Sequence, residues 1–261
     1  MAAPHPKTDE VICIPKTFSS PTLEQEVVER YKNLRLYGLK VDPRSFSSTY
    51  EAESQFSDDT WRSRIQNPVG KTFASMMDSN TQLPVSKIEG LVQSHGMNDA
   101  LYGLLQKEWA GIVTLVGPGV LRSNEDATTA PSKPHQVFIR DRQYQIPQTV
   151  PELDDLSGAH MVYMLVGMFV SPSARRRGHG QRLLEAAIAA AAEETIILGG
   201  RKASIAVQAE SGNHNAQRLY ERVGFKVTDE AVEIEERDGA KSLVVSLEME
   251  LDLPGLKSGS S

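Results

Sequence analysis

The segment from Met161 to Ile188 constrains the fold of this chain more than any other part of the sequence. Its first ten residues, Met161 to Val170, are almost all apolar, and such a run predicts a central strand with both faces covered. A turn that holds three arginines and two glycines follows, and an apolar helix begins directly after Gly180. The order of strand, turn and helix predicts an α/β protein built around this segment.

Positive charge and free backbone amides make the turn a candidate anion site. The first N–H groups of a helix lack partners within the helix, and the helix dipole adds partial positive charge there. Gly178 and Gly180 carry no Cβ atom that would keep a phosphate away from the backbone. Arg175, Arg176 and Arg177 add charge. A solvated basic turn is the alternative, but the strand before it and the helix after it favour the anion site.

The rest of the chain is acidic, so the positive turn is a local feature. The 261 residues carry a formal net charge of −6, and between Lys226 and Asp252 nine Asp or Glu residues stand against three Lys or Arg. This balance argues against a protein whose general role is to bind nucleic acid or membrane surfaces.

Cysteine, histidine and the apolar runs limit the class of protein further. Cys13 is the only cysteine, so an intrachain disulfide and a thiolate metal cluster are excluded. The six histidines show no metal-ligand spacing, and we predict no metal site. The N-terminal residues lack a signal pattern, and the longest apolar run is too short to span a bilayer. We therefore expect a cytoplasmic protein.

Helices and strands alternate along the remainder of the sequence. A helix from Leu23 to Leu39 is predicted to begin near Ser20-Pro21 and to end before Pro43, and a shorter helix follows Ser57. The predicted strands are Val11–Ile14, Lys71–Met77, Trp109–Val116 and Ala203–Ala209. The other predicted elements are a helix over Val85–Gln106, a mobile loop over Gly117–Gln136, a helix over Asn213–Val223 and a closing hairpin over Ala231–Asp252 that turns at Asp238-Gly239. Together they predict one domain over residues 11–252, with flexible ends at 1–10 and 253–261.

Two common phosphate-binding motifs are absent. Leu183 stands where the third glycine of the dinucleotide-binding motif Gly-x-Gly-x-x-Gly would fall. Gly70-Lys71-Thr72 imitates the end of a P-loop, but Ile65 occupies the position of its required first glycine. Kinase or NAD chemistry therefore has no support.

Two motifs resemble the signatures of the GNAT superfamily of N-acetyltransferases. The stretch "VSPSARRRGHG" at 170–180 is similar to the family's motif for the pyrophosphate of acetyl-CoA, and "NHNAQRLYERVGF" at 213–225 resembles its second signature. The resemblance is clear from about Tyr163 to the final strand and weaker over the first-helix region. The compact core of the family has no counterpart for residues 78–108 and 117–158, so we expect two insertions there.

The resemblance implies a mostly antiparallel sheet with splayed middle strands, and acetyl-CoA as the donor of an acetyl group to an amine. The amides from Arg176 to Gln181 would hold the pyrophosphate, and the strand edge at 168–170 would pair with the pantetheine arm. A backbone N–H near Met168 or Phe169 would bind the acetyl oxygen. The implied cofactor-binding residues are Met168, Phe169, Val170, Arg175, Arg176, Arg177, Gly178, His179, Gly180, Gln181, Asn213, Ala216 and Tyr220.

Tyr220 is the candidate general acid, because a hydroxyl that donates a proton or hydrogen bond assists a thiolate leaving group with a pKa near 8.5. Asn213 would bind the pantetheine arm or cap its own helix, and Asn215 could do either. His179 is interpreted as incidental, with its side chain aimed at solvent or phosphate. The general base stays unassigned among Glu210, Asp155, His160 and a water relay.

The acceptor is expected to be a primary amine of a small molecule, with its specificity set by the region 46–51 and the closing hairpin. The hairpin residues Glu233, Glu235 and Glu236 suggest a cationic amine, and a solvated acidic strand is the alternative. A protein N-terminus or lysine is the alternative acceptor, and a catalytically inactive CoA-binding module is the alternative from another class. A nucleic-acid contact at the arginines is disfavoured by the acidic hairpin, and a homodimer remains open.

Overall fold

One mixed sheet organises the molecule. The computed structural model describes residues 10–77, 99–121, 133–140, 143–144, 146–152, 156–235 and 241–253. The seven strands of the sheet are β1 (Val11–Cys13), β2 (Gly70–Met77), β3 (Glu108–Leu121), β6 (His160–Val170), β7 (Lys202–Glu210), β8 (Lys226–Glu235) and β9 (Lys241–Glu250). They follow one another in the order β1-β2-β3-β6-β7-β9-β8, and all neighbours are antiparallel except β6 and β7. The predicted sheet, mostly antiparallel within an α/β fold, is confirmed.

Helices cover both faces of the sheet, and a small hairpin lies beside it. The α-helices are α1 (Pro21–Val41), α2 (Tyr50–Glu53), α3 (Asp58–Gln66), α4 (Asp99–Gln106), α5 (His179–Ile197) and α6 (His214–Arg222). Three 3-10 turns occupy Pro43–Ser45, Pro134–Phe138 and Pro172–Ala174, and the two-residue strands β4 (Ile139–Arg140) and β5 (Gln143–Tyr144) pair with each other.

Local signals set the boundaries of the first helix. The Ser20 side chain accepts a hydrogen bond from the Leu23 amide at 3.3 Å, and Pro21 stands in the first turn, where its missing N–H is harmless. Asp42 ends the helix because the proline after it disfavours the α conformation. One face of α1 then buries Leu23, Val27 and Leu39 among other apolar residues.

The central strand β6 is buried on both faces, as its composition predicts. Met161, Tyr163 and Leu165 belong to a core with α5, whereas Val162 and Met164 belong to a smaller core with Phe138 on the opposite face. A third core joins α1, α3 and α4 to β1, β2 and β3. The sheet thus separates the side that carries α5 and α6 from the side that carries α1.

The loop predicted from Gly117 is wrong in its first five residues. β3 continues to Leu121 because Gly119, Val120 and Leu121 pair with the start of β6. The 3-10 turn at Pro134–Phe138 begins within the segment 117–136 that we predicted to be mobile, and His135 is buried there. The short helix α2 has no counterpart in the prediction.

Several predictions fall outside the described residues: the flexible ends at 1–9 and 254–261, the start of the Val85–Gln106 helix, and the hairpin turn at Asp238-Gly239. In the part of the chain that the structure describes, every helix is too short or too polar to cross a bilayer.

Candidate functional site

The central strands part where β6 bulges. β6 pairs with β7 only from His160 to Leu165, so its last five residues have no partner on that side. Where β6 pairs with β3, Val166 lies opposite Thr114 and Phe169 lies opposite Ile112. β6 therefore contains one more residue than β3 between these two pairs. Gly167 supplies the positive φ of 62° that this bulge requires, and the extra residue turns the strand end away from β7.

A groove of about 830 Å³ opens at this parting. Its walls are the end of β6, the turn before α5, the end of β7, one face of α6 along its whole length and the 3-10 turn after α1. Twelve of the thirteen predicted cofactor-binding residues line it: Met168, Phe169, Val170, Arg175, Arg176, Gly178, His179, Gly180, Gln181, Asn213, Ala216 and Tyr220. Arg177 does not line the groove.

The turn before α5 presents unpaired amides to the groove. Gly178 is the N-cap of α5 with a φ of 83°, and the first helical hydrogen bond runs from the Arg182 amide to the Gly178 carbonyl at 3.1 Å. The amides of His179, Gly180 and Gln181 therefore precede the hydrogen-bonded part of the helix and have no partners within it. With the helix dipole behind them, these three N–H groups can bind an anion.

The groove concentrates positive charge in an acidic protein. Five arginines line it against two carboxylates, Asp42 and Glu210. The arginines are Arg44, Arg175, Arg176, Arg218 and Arg222. The sequence analysis did not predict Arg44, Arg218 and Arg222. Arg218 and Arg222 are four residues apart on α6 and so share one face of the helix, a spacing that the sequence shows. No sequence pattern places Arg44 in the groove.

Tyr220 lies at the inner wall of the groove. Its side chain is 5% exposed and packs edge-on against Phe225 with ring centroids 5.9 Å apart. Burial raises the pKa of the Tyr220 hydroxyl above its ordinary value, so the hydroxyl stays protonated at neutral pH. No hydrogen-bond partner of this hydroxyl occurs among the described residues, which leaves the proton available for a ligand.

The 3-10 turn after α1 spans the groove. On one side, Asp42 forms an ion pair with Arg175 at 2.9 Å. On the other, Asn213 donates to the Ser45 hydroxyl at 3.1 Å and accepts from the Ala216 amide at 3.1 Å. Asn213 therefore caps α6, and its side-chain amide also holds the first-helix region against the end of β7.

The other candidates differ in position. The predicted orientation of His179 is wrong: the side chain is 1% exposed, and its Nδ1 lies 2.8 Å from the Ser75 hydroxyl, because this face of α5 packs on β2. Among the candidate bases, Glu210 lines the groove. His160 lies at the far end of β6, bonded to Ser204 at 2.8 Å, where burial and then Lys202 lower its pKa. Asp155 lies outside the described residues.

A buried ion cluster lies beside the bulge on the α1 side. Glu53 is fully buried and binds Arg35 through two hydrogen bonds of 2.8 and 3.1 Å, and Arg64 at 2.8 Å. Burial by itself would raise the pKa of Glu53, but the bonds and charges of both arginines lower it to about 2. The Arg35 guanidinium lies 4.4 Å over the Phe46 ring, which fixes its orientation.

Comparison with known proteins identifies the family. Residues 137–227, which contain β6, the turn, α5, β7 and α6, match the family model described as acetyltransferase (GNAT) domain. Residues 137–227 form a GNAT acetyltransferase domain. The predicted family and the predicted acyltransferase class are confirmed, and acetyl-CoA is the cosubstrate that this family uses. No curated protein sequence matches the chain significantly.

Solved structures share the fold of the GNAT domain at low sequence identity. NAA60 from Arabidopsis thaliana, solved in complex with a bisubstrate analogue, superposes with a TM-score of 0.51 at 12% identity, over 93% of this chain and all of the other. The same protein in complex with acetyl-CoA gives 0.50 at 13% identity, over 93% and 98% of the two chains. An N-acetyltransferase from Staphylococcus aureus Mu50 gives 0.50 at 13% identity, over 94% and 100%.

Within the described ranges, no three His, Cys, Asp or Glu side chains are grouped so that they could hold a metal ion.

Proposed function

We propose that this protein transfers the acetyl group of acetyl-CoA to a primary amine of a small molecule by direct attack in a ternary complex. The observation that carries the proposal is the parting of β6 from β7 onto a groove lined by unpaired helix amides and five arginines. Such a groove suits a ligand with a diphosphate at one end and a thioester that must reach the sheet at the other.

The diphosphate of acetyl-CoA would bind the amides that begin α5. Gly178 and Gly180 let the phosphate oxygens approach the backbone, and Arg175 and Arg176 supply charge-assisted hydrogen bonds. The pantetheine arm would pair with the free edge of β6 at Met168–Val170, which has no β7 partner. A backbone N–H of Met168 or Phe169 would then bind the acetyl oxygen as negative charge develops on it.

Tyr220 would stabilise the leaving thiolate. Because burial raises the pKa of Tyr220 above that of a thiol, complete proton transfer from the phenol to a thiolate of pKa near 8.5 is uphill. We therefore assign Tyr220 the role of hydrogen-bond donor to the sulfur. The thiol's proton would come from the amine, which loses it as the amide forms.

Glu210 is the carboxylate that we propose to accept a hydrogen bond from the incoming ammonium and to pass its proton on to solvent, directly or through water. It lines the groove at the end of β7, opposite the free edge of β6. An acceptor of lysine-like basicity, with a pKa near 10.4, must lose this proton before it can attack.

A covalent acetyl-enzyme has no support from the geometry. Cys13 is the only cysteine of the chain, and it lies on the edge strand β1, outside the groove. Burial raises the pKa of the Cys13 thiol, which disfavours the reactive thiolate, although Lys71 and Lys16 act in the opposite direction.

The test is steady-state turnover of acetyl-CoA with a panel of primary amines, measured by release of free CoA thiol. Direct transfer predicts double-reciprocal lines that intersect when both substrates are varied, whereas an acetyl-enzyme predicts parallel lines. Acetyl-CoA binding without turnover on any amine would instead support a catalytically inactive CoA-binding module. Turnover confined to peptides with a free N-terminus or lysine would contradict the small-molecule acceptor and leave the acetyl transfer intact.

A further inference from the structure

One nitrogen of the buried ion cluster has no partner. Arg35 is 9% exposed, and Glu53 occupies its Nε and Nη2 atoms, which lie on one side of the guanidinium. The Nη1 atom is buried, and no hydrogen-bond acceptor for it occurs among the described residues. An unsatisfied charged donor in a protein interior is costly, so a partner other than the described residues is expected at this atom.

The free nitrogen points at the place where the strands part. Nη1 lies 3.8 Å from the position that a Cβ atom would take on Gly167, and no other heavy atom beyond the neighbouring residues of the chain comes within 4 Å of that position. Gly167 is the bulge residue of β6, directly before Met168 in the groove. The lack of a side chain there leaves open space between the guanidinium and the reacting end of the strand.

This space lies on the acceptor's side of the sheet. Met168 packs towards α5, where the cofactor groove runs, whereas Phe169 packs towards α1 with Tyr37 and Phe46. The cofactor would fill the α5 side, so an amine has to reach the thioester from the α1 side. Arg35 on α1 is the charged group that faces the bulge from there.

The charge of the cluster determines which ligand fits. Arg35 and Arg64 carry two positive charges against the single negative charge of Glu53, so the cluster has a net charge of +1. A carboxylate at Nη1 would neutralise it, whereas a carbonyl oxygen would satisfy the hydrogen bond and leave the charge uncompensated.

We propose that Arg35 determines acceptor specificity by binding a carboxylate of the acceptor through Nη1, so that the substrates are small amines that also carry an acid group. This inference rests on the acetyl transfer proposed above and names its acceptor class. The Phe46 ring and Glu53 hold the guanidinium, and the open position at Gly167 receives the carboxylate.

The experiment compares matched acceptors. Every common amino acid except proline, together with β-alanine and 4-aminobutyrate, is assayed with acetyl-CoA beside its own carboxamide, and kcat/KM is taken from CoA release. Loss of one charge-assisted hydrogen bond corresponds to about 10- to 100-fold. We expect the best acid to exceed its amide by at least about tenfold, and Arg35→Lys to bring this ratio close to one, chiefly by raising KM for the acid.

Arg64→Lys is the matched control, because it perturbs the same Glu53 carboxylate while Nη1 of Arg35 stays in place; its acid-to-amide ratio should equal that of the wild type. If Arg35→Lys fails to fold, Gly167→Ala replaces it, since the added methyl occupies the position proposed for the carboxylate and should remove the preference; alanine at this positive φ strains the backbone, and urea unfolding measures the loss of stability in parallel. Equal rates for acids and amides in the wild type, or an unchanged ratio in Arg35→Lys, would overturn the carboxylate site while leaving acetyl transfer intact. Absence of CoA release with every amine would overturn both proposals.

Discussion

Replacement of Glu53 by glutamine tests the physical chemistry of the ion cluster beside the bulge. Glu53 is fully buried between Arg35 and Arg64, and these partners lower its pKa from 4.5 to about 2. A displacement of about 2.5 pKa units at 1.36 kcal/mol per unit corresponds to about 3 kcal/mol of stability from the ionised carboxylate. Loss of one partner from a buried ion pair destabilises proteins by a similar amount, about 3–5 kcal/mol. Glu53→Gln should therefore lower the free energy of unfolding by about 3 kcal/mol at pH 7.

The same shift fixes the sign of the pH dependence. The folded-state pKa of Glu53 is depressed, so its stabilisation is present above the unfolded-state pKa of 4.5 and is lost as the pH falls towards 2. At pH 3 the wild type should have lost about 2 kcal/mol of this contribution, whereas the glutamine variant has no carboxylate to protonate. The difference in unfolding free energy between the two proteins should thus shrink from about 3 kcal/mol at pH 7 to about 1 kcal/mol at pH 3.

Urea unfolding followed by circular dichroism at pH 7, 5, 4 and 3 measures this difference directly. Asp59→Asn is the matched control, because Asp59 pairs with Arg62 at an exposed site in the first turn of α3, and its loss should cost at most about 1 kcal/mol at pH 7. A Glu53→Gln difference that stays constant from pH 7 to pH 3 would refute the assignment of a strongly depressed pKa to Glu53. A difference below that of Asp59→Asn would refute its structural role.

Three further predictions concern the groove. Tyr220→Phe should lower kcat by about 10- to 100-fold with little change in the affinity for acetyl-CoA, because it removes one hydrogen bond to a developing thiolate; an unchanged kcat in CoA-release assays would remove Tyr220 from the mechanism. Asn213→Ala should lower the free energy of unfolding by about 1 kcal/mol through the lost cap of α6, measured by thermal unfolding against the neighbouring Asn215→Ala; equal stability of both variants would contradict the cap. Replacement of Arg218 and Arg222 together by glutamine should weaken acetyl-CoA binding and reduce its salt dependence, and calorimetry at two salt concentrations that finds both unchanged would exclude them from the site.

Local signals in the sequence were sufficient for much of the fold. Ser20 with Pro21 marks the start of α1, Asp42 before Pro43 marks its end, and Asn213 marks the start of α6; the structure has each cap where it was predicted or within a residue. The apolar composition of β6 likewise predicts its central place, because a strand covered on both faces needs few polar positions.

Local sequence signals failed where a segment contacts a strand that is distant in the sequence. The end of β3 contains Gly117, Pro118 and Gly119, residues that predict a loop. It nevertheless pairs with the start of β6, some forty residues further along the chain. His179 reads as a polar residue of an exposed turn, but the first turn of α5 rests on β2 and buries the ring against Ser75. In both cases the decisive partner is remote in sequence.

The site was predictable only where its residues are contiguous. The turn before α5 and the start of α6 carry motifs, and their residues line one groove. Arg44 enters that groove from the first-helix region, and Arg35, Glu53 and Arg64 meet across separations of 18 and 11 residues. No periodicity or motif links such residues, so tertiary structure was needed to find them.

Calorimetric titration of acetyl-CoA into the wild type and Gly178→Glu tests the central claim, that amides at the start of α5 bind the diphosphate of the cofactor. Gly178 has a φ of 83°, and its Cβ would meet the flexible end of Arg182, so the substitution should cost about 1–2 kcal/mol of stability and leave the protein folded. It places bulk and negative charge at the proposed phosphate position. The account predicts saturable binding to the wild type and no measurable heat for a folded Gly178→Glu; equal affinity of the two proteins would contradict it.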